Sequence, residues 1–214
     1  LDFGDEVVYE MIIVDDASTD KSEEVVQSFL ENGIKFHRLS VNSGKGAAVR
    51  KGVSLSLGRY IIVQDADLEY FPSDIPKLLR AAIAAPGATV YGSRVLGAQS
   101  LTGFYGVARL WPKQSLPSWL FNFLLTVWLF MIKKVWITDT LTGYKLYPRE
   151  IFQEWFPITN GFETDHEITS KILNDKREII EVPINYSPRS KLEGKKIRAI
   201  DGYIARRTFW VFRK

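Results

Sequence analysis

The chain is built from short apolar, β-branched runs, two of which stop abruptly on carboxylates. Tyr9–Val14 runs into Asp15 and Asp16, and Tyr60–Gln64 runs into Asp65, with Asp67 and Glu69 continuing at two-residue spacing. Helix-type segments lie between the runs. Asp20 and Glu23 have capping-box spacing and predict a helix to about Asn32. Gly44 to Ser56 reads as a helix that starts at a glycine-rich turn. Ser73 or Asp74 caps a helix to about Ala85, with Pro76 tolerated in its first turn. Ile34–Leu39 and Ala88–Tyr91 read as further strands. This alternation predicts an α/β fold with a mostly parallel, Rossmann-like sheet covered by helices on both faces. Ligands of such sheets sit beyond the carboxyl ends of the strands. Asp15, Asp16, Asp65, Asp67 and Arg94 all fall at or just after those ends.

Carboxylates at i and i+2 of an extended chain point to one side. Asp65 and Asp67 then repel each other unless a cation stands between them, and hard oxygen donors suit Mg²⁺ or Mn²⁺. Glu69 offers a third oxygen, and such a metal keeps positions open for a diphosphate. The other reading is an acidic strand-end turn without a ligand.

Composition narrows the class. With 46% hydrophobic and 13% aromatic residues, the 214-residue chain can bury a core, and no linker-like stretch divides it, so a single domain over 1–214 is expected. A net charge of +3 is too mild to argue for nucleic acid. The absence of cysteine excludes a disulfide framework and thiolate chemistry, and fits a reducing compartment. The first residues show no signal-peptide pattern, and the chain starts with Leu1, so its natural N-terminus is expected to lie elsewhere.

The second half is less regular. Trp119–Ile132 is apolar except for Asn122 and Thr126, which are four apart and share one helix face. This run is too short for a bilayer, which takes about 20 residues. Its aromatic residues and the flanking Lys113, Lys133 and Lys134 suit either a membrane interface or a buried core helix. Gly143–Tyr147 and Glu178–Tyr186 read as strands and Glu163–Asn174 as a helix. From Ile200 a C-terminal amphipathic helix mixes Tyr203, Phe209 and Trp210 with Arg206, Arg207 and Arg213.

Eight stretches, in order, resemble the family 2 glycosyltransferases of GT-A fold, in the polyprenyl-phosphate (dolichyl-phosphate mannosyltransferase-like) group. They are IIVDDASTD at 12–20, NSGKGAAVRKG at 42–52, DADLEY at 65–70, YGSR at 91–94, DTLTGYKLYPRE at 139–150, GFETDHEI at 161–168, EVPINYSPR at 181–189 and EGKKI…DG at 193–202. The resemblance implies inverting transfer of a sugar from a nucleotide diphosphate donor, of UDP-glucose or GDP-mannose type, to a polyprenyl phosphate. It implies Mg²⁺ or Mn²⁺, and a cytoplasmic protein peripheral at the inner face of a membrane. Asp65, Asp67 and Glu69 would hold the metal, and Asp15 and Asp16 would meet the nucleobase and ribose.

The residue chemistry is compatible with these roles. Gly44, Lys45 and Gly46 open a helix, where amides and an ammonium favour an anion. This is not a Walker loop, because Gly46 follows the lysine where Ser or Thr is required. Arg94 follows a strand end and can present its fork to a phosphate. Asp139 is the candidate for binding sugar hydroxyls, orienting the acceptor or acting as a base. Asp165 and Glu167 fall where related enzymes keep an acidic pair, although Thr164 and Glu167 also have capping-box spacing. Arg189, Lys191, Lys195 and Lys196 form a basic loop suited to the diphosphate or the lipid phosphate; a solvated charge run is the plainer reading.

Two departures from the family stand out. The chain starts after the family's first strand and its nucleotide-pocket turn. Trp119 stands where a phosphate-contacting arginine is common, so either Lys113 or Arg109 substitutes or the acceptor site differs. A glycosyltransferase with a non-lipid acceptor and a truncated, non-catalytic nucleotide-sugar-binding module are the alternatives.

Overall fold

The computed structural model describes residues 7–30, 33–100, 116–189 and 199–213. Strand β1 (Ile12–Asp15) pairs in parallel with β2 (Lys35–Arg38), with Asp15 opposite Arg38 at the carboxyl end. A second sheet has the order β3-β5-β4-β6, from β3 (Tyr60–Ile62), β4 (Thr89–Ser93), β5 (Lys145–Pro148) and β6 (Ile179–Pro183). β4 pairs in parallel with β6, and β5 runs antiparallel to both β3 and β4. Three strands of this sheet therefore share one direction. The expected mostly parallel sheet is present, with β5 as its opposing strand.

Side-chain alternation along the central strands divides the core in two. Val90 and Leu146 face Leu78 and Ala82 of helix α3 (Ile75–Ala84), with Tyr70, Tyr144 and Ile184 completing that layer. Tyr91 and Tyr147 face the opposite side, with Ile168 and Ile172 of a later helix, Leu129 and Phe209. Every residue of β4 is buried, as a strand covered on both faces should be.

Several helices differ from expectation. α1 (Ser22–Gln27) is shorter than the capping-box reading, and Asp20 instead accepts a hydrogen bond from the Ser22 amide at 2.9 Å. α2 (Lys45–Leu55) begins after Gly44, which has φ +92°. A 3₁₀ turn, Pro72–Asp74, leads into α3, but Asp74 does not cap it: its carboxylate accepts the Asn185 amide at 2.8 Å and pairs with Lys77 at 2.6 Å. Two short helices had no sequence signal, α4 (Arg94–Ser100) and α6 (Ile151–Glu154).

α5 (Leu116–Lys133) is neither simply interfacial nor simply buried. Its polar stripe, Asn122 and Thr126, faces inward beside Leu125 and Leu129, while Leu120, Phe123, Leu124, Phe130 and Met131 are exposed. α7 (Thr164–Asn174) packs against the C-terminal helix α8 (Ala199–Val211), with the His166 ring tilted against Phe209 at 5.1 Å. α8 is amphipathic as expected, with Ala205, Thr208 and Phe209 buried and Tyr203, Trp210 and Val211 exposed. Trp210 meets Trp128 of α5 at 6.1 Å. Among the described residues no helix is long and apolar enough to cross a membrane.

Candidate active site

The acidic segment after β3 is not extended. β3 ends at Ile62, Ala66 and Asp67 lie in a turn, and Leu68 has φ +61°. The extended i, i+2 geometry therefore does not hold, and the three carboxylates divide between two cations, Lys45 for Asp65 and Arg189 for Asp67 and Glu69. Asp65 pairs with Lys45 at 3.0 Å, Asp67 with Arg189 at 2.9 Å, and Glu69 with the Arg189 side chain at 3.3 Å and its amide at 3.0 Å. The Tyr186 hydroxyl donates to Glu69 at 2.8 Å. Lys45 also reaches Asp165, on the first turn of α7, at 3.3 Å. A Cβ on Gly143 would lie 3.1 Å from Asp65 Oδ2, so the 139–145 loop forms another wall.

The electrostatics follow from burial. Burial pulls the Lys45 ammonium down, but Asp165 and Asp65 outweigh it and hold its pKa above the ordinary value. Asp65 goes the other way: burial raises its carboxyl more than Lys45 lowers it, and the nearby Asp165 and Asp67 charges add to the rise. Burial also pushes Asp165 up, but Lys45 and the buried Lys145 bring it below the usual carboxylate range. The Asp65 side therefore has the stronger demand for further positive charge.

The glycine-rich turn supports this cluster differently from expectation. Asp16 accepts the Ser43 and Gly44 amides, both at 2.7 Å, and the Gly46 amide donates to Asn160 O at 2.6 Å. These amides are bound to protein acceptors, which corrects their expected role as a phosphate cradle; Lys45 is what the turn delivers. A side chain at Gly46 would overlap Thr164 and Thr159, so this close approach requires glycine. Asp15 accepts from Ser18 with Oδ1. Its Oδ2 is buried without a hydrogen bond, 3.5 Å from Arg38.

Arg94 and Asp139 form a second centre. The Arg94 fork meets both Asp139 oxygens at 2.7 Å, and its amide adds a third bond at 3.0 Å. Asp139 is fully buried, and Glu181 accepts the Thr138 and Asp139 amides at 2.7 and 3.0 Å. Arg94 is thus paired with a carboxylate through Nε and Nη2, leaving Nη1 outside that fork, and both Asp139 oxygens already accept hydrogen bonds. The Arg94 guanidinium also stacks on Tyr186 at 4.9 Å, which connects this centre to Glu69.

Two further candidates have partners within the protein. Glu69 accepts from Tyr186 and Arg189, so like Asp65 and Asp67 it already has a protein partner. Glu167 is fully buried; it accepts the Ile158 and Thr159 amides at 2.9 Å and pairs with Lys171 at 2.7 Å. It holds the 158–159 turn and neither joins the acidic cluster nor caps α7. Among the described residues no three carboxylate or imidazole groups converge to hold a metal ion. Arg109, Lys113, Lys191, Lys195 and Lys196 lie outside the described residues. Glu181 and Lys145 were missed, although EVP and TGYK stand in the motifs quoted above; nothing in one sequence distinguishes a buried lysine or glutamate from a solvated one.

The family model for glycosyl transferase family 2 matches residues 5–156. Dolichyl-phosphate beta-glucosyltransferase of Saccharomyces cerevisiae is 29% identical over 213 residues, covering 90% of this chain and 60% of its own length. Dolichol-phosphate mannosyltransferase of Pyrococcus furiosus is 29% identical, covering 94% of this chain and 56% of its own length. The chain thus spans somewhat over half of these relatives. Glucosyl-3-phosphoglycerate synthase of Mycobacterium tuberculosis, solved with Mn²⁺, UDP-glucose and phosphoglyceric acid, superposes with a TM-score of 0.62 at 16% identity, covering 99% of this chain and 71% of its own. That likeness carries the fold, which is GT-A.

Proposed function

This chain belongs to glycosyl transferase family 2, and from that premise we propose that it transfers a hexose from a nucleotide diphosphate sugar to a polyprenyl phosphate at a membrane face, with inversion. The observation that carries the reading is the pairing of Asp65 and Asp165 with Lys45, and of Asp67 with Arg189, beyond the carboxyl end of β3. Acidic and basic groups side by side suit a metal–diphosphate, whose two halves need opposite partners.

The donor set fits a divalent cation. Mg²⁺-type sites commonly use one or two carboxylates plus substrate phosphates rather than an all-protein cage. Asp65 and Asp67 are hard donors whose charges oppose each other, and each already holds a cation. They would hold Mg²⁺ or Mn²⁺, which when bound neutralises the leaving diphosphate. Lys45 and Arg189 are the described basic groups within reach of that diphosphate. The buried, unbonded Asp15 Oδ2 suits a nucleobase N–H. A phosphate acceptor is already anionic at neutral pH and needs no strong base, which agrees with the burial of Asp139 against Arg94. The chain's contribution is then positioning and electrostatics.

The membrane face rests on α5 and α8. Exposed Phe123, Leu124, Met131, Trp136 and Trp210 stand beside exposed Lys134, Arg206 and Arg207, a combination suited to an anionic lipid surface. A thermal-shift panel of nucleotide sugars, with and without Mn²⁺, tests the reading. A UDP- or GDP-sugar with Mn²⁺ is expected to raise the transition in proportion to log ligand above its Kd. No response to any nucleotide would remove it.

A further inference from the structure

Each basic residue of the cluster is held by two carboxylates, one inside the Asp65–Asp67 pair and one outside it. Lys45 lies between Asp65 at 3.0 Å and Asp165 at 3.3 Å. Arg189 lies between Asp67 at 2.9 Å and Glu69, which takes both its side chain and its amide. The two outer carboxylates come from different elements, Glu69 from the turn after β3 and Asp165 from α7, yet they do the same thing. Both are also better fixed than the inner pair. Glu69 is tied by Tyr186 and its main-chain carbonyl by the Ser187 amide at 2.9 Å, and Asp165 sits on a helix turn facing two lysines.

We propose that Glu69 and Asp165 are positioning residues, anchors that keep Arg189 and Lys45 beside Asp67 and Asp65 until a divalent metal takes over the two aspartates and a diphosphate takes over the two cations. The proposal rests on the glycosyl-transfer reading above and extends it to the free protein. A metal arriving alone meets two aspartates whose oxygens already carry N–H donors, with both cations held within a few ångströms by their anchors. It would be held weakly, because Asp165 and Glu69 keep both cations close to it. A metal arriving with a diphosphate supplies those cations with an anion. Arg189 and Lys45 then turn from the inner aspartates to the phosphates without leaving Glu69 and Asp165. Glu69 thus acts through Arg189 and does not touch the metal.

The test is Mn²⁺ binding followed by the loss of its free-ion electron paramagnetic resonance signal, on the full chain and without nucleotide. Arg189→Met is expected to tighten Mn²⁺ binding about fivefold, the scale of one partly exposed ion pair, while Arg189→Lys leaves it unchanged. Glu69→Gln is expected to weaken it, since Arg189 then leans wholly on Asp67. The double variant Glu69→Gln/Arg189→Met should match Arg189→Met alone. If Glu69 were a metal ligand, the double variant would bind Mn²⁺ more weakly than Arg189→Met, and the anchor role would be overturned. Unchanged binding in Arg189→Met would overturn it too. Unfolding curves of each variant confirm that the fold is retained, and the Arg189→Lys control isolates charge from packing. Adding UDP or GDP separates the two readings. Tight Mn²⁺ binding to the wild type without nucleotide removes the anchors alone, whereas no Mn²⁺ binding even with nucleotide removes glycosyl transfer as well.

Discussion

Two ion-pair centres lie within one connected network, and they are built to different rules. At Asp139, both carboxylate oxygens accept from the Arg94 fork, and Asp139 is closed to solvent. At Asp65 and Asp67, each aspartate holds one cation, and the side chains remain 31% and 20% exposed. Asp139 is closed off from a substrate by burial, and the pair is costly to break because a lone charge would stay in the interior. A half-exposed pair costs little to rearrange. The first therefore fixes the 138–143 loop, and the second is where ligands exchange. Residue type alone ranks Asp139 and Arg94 with the chemistry; the structure shows them paired with each other.

The largest expected effect lies in the open centre. Asp65→Asn should lower sugar transfer by on the order of a thousandfold while leaving the unfolding midpoint near that of the wild type, since it removes a charge that burial already disfavours. A large stability loss in that variant would erase the contrast between the centres. In the closed centre the expectation reverses. Asp139→Asn strands the buried Arg94 guanidinium and should cost about 3–5 kcal/mol in urea unfolding, with activity lost only through the unfolded fraction. Asp139→Asn combined with Arg94→Met should recover part of that loss.

How far the sequence reached can be judged from the same residues. The existence of β1, β3 and β4 was legible to within a few residues, because apolar β-branched runs that stop on polar residues mark strands directly. The turn at Leu68 was not: whether Asp65 and Asp67 share a side depends on where β3 stops, and β3 stops three residues before Asp65. Partner choice was not legible either. Arg94 could have met a phosphate or Asp139, and only the return of the 138–143 loop along β5 decides it. α5 misled for a related reason. Asn122 and Thr126 read only as one shared helix face, and the structure turns that face inward, where Asn122 faces Thr138 and Thr140 across 3.5 Å.

A smaller effect concerns pH. His166 is buried on Phe209 with Nδ1 unbonded, and burial together with the nearby Lys145 lowers its pKa to about 3 from 6.5. The unfolded chain takes up this proton first as pH falls, so stability is lost between about pH 6.5 and 3. The contribution is up to about 1.4 kcal/mol per pH unit. His166→Leu should flatten that part of the stability profile, measured by urea unfolding at several pH values. The smallest effect is at the surface. Replacing Phe123 and Leu124 by Ser should leave the fold intact and reduce cosedimentation with anionic vesicles; unchanged cosedimentation would separate α5 from the membrane.

The most direct test follows both products of the reaction. With a radiolabelled UDP- or GDP-sugar, polyprenyl phosphate and Mn²⁺, the account predicts labelled glycosyl phospholipid and nucleoside diphosphate in equal amounts, and loss of both in Asp65→Asn. Release of pyrophosphate, or transfer that proceeds undiminished in Asp65→Asn, would contradict it.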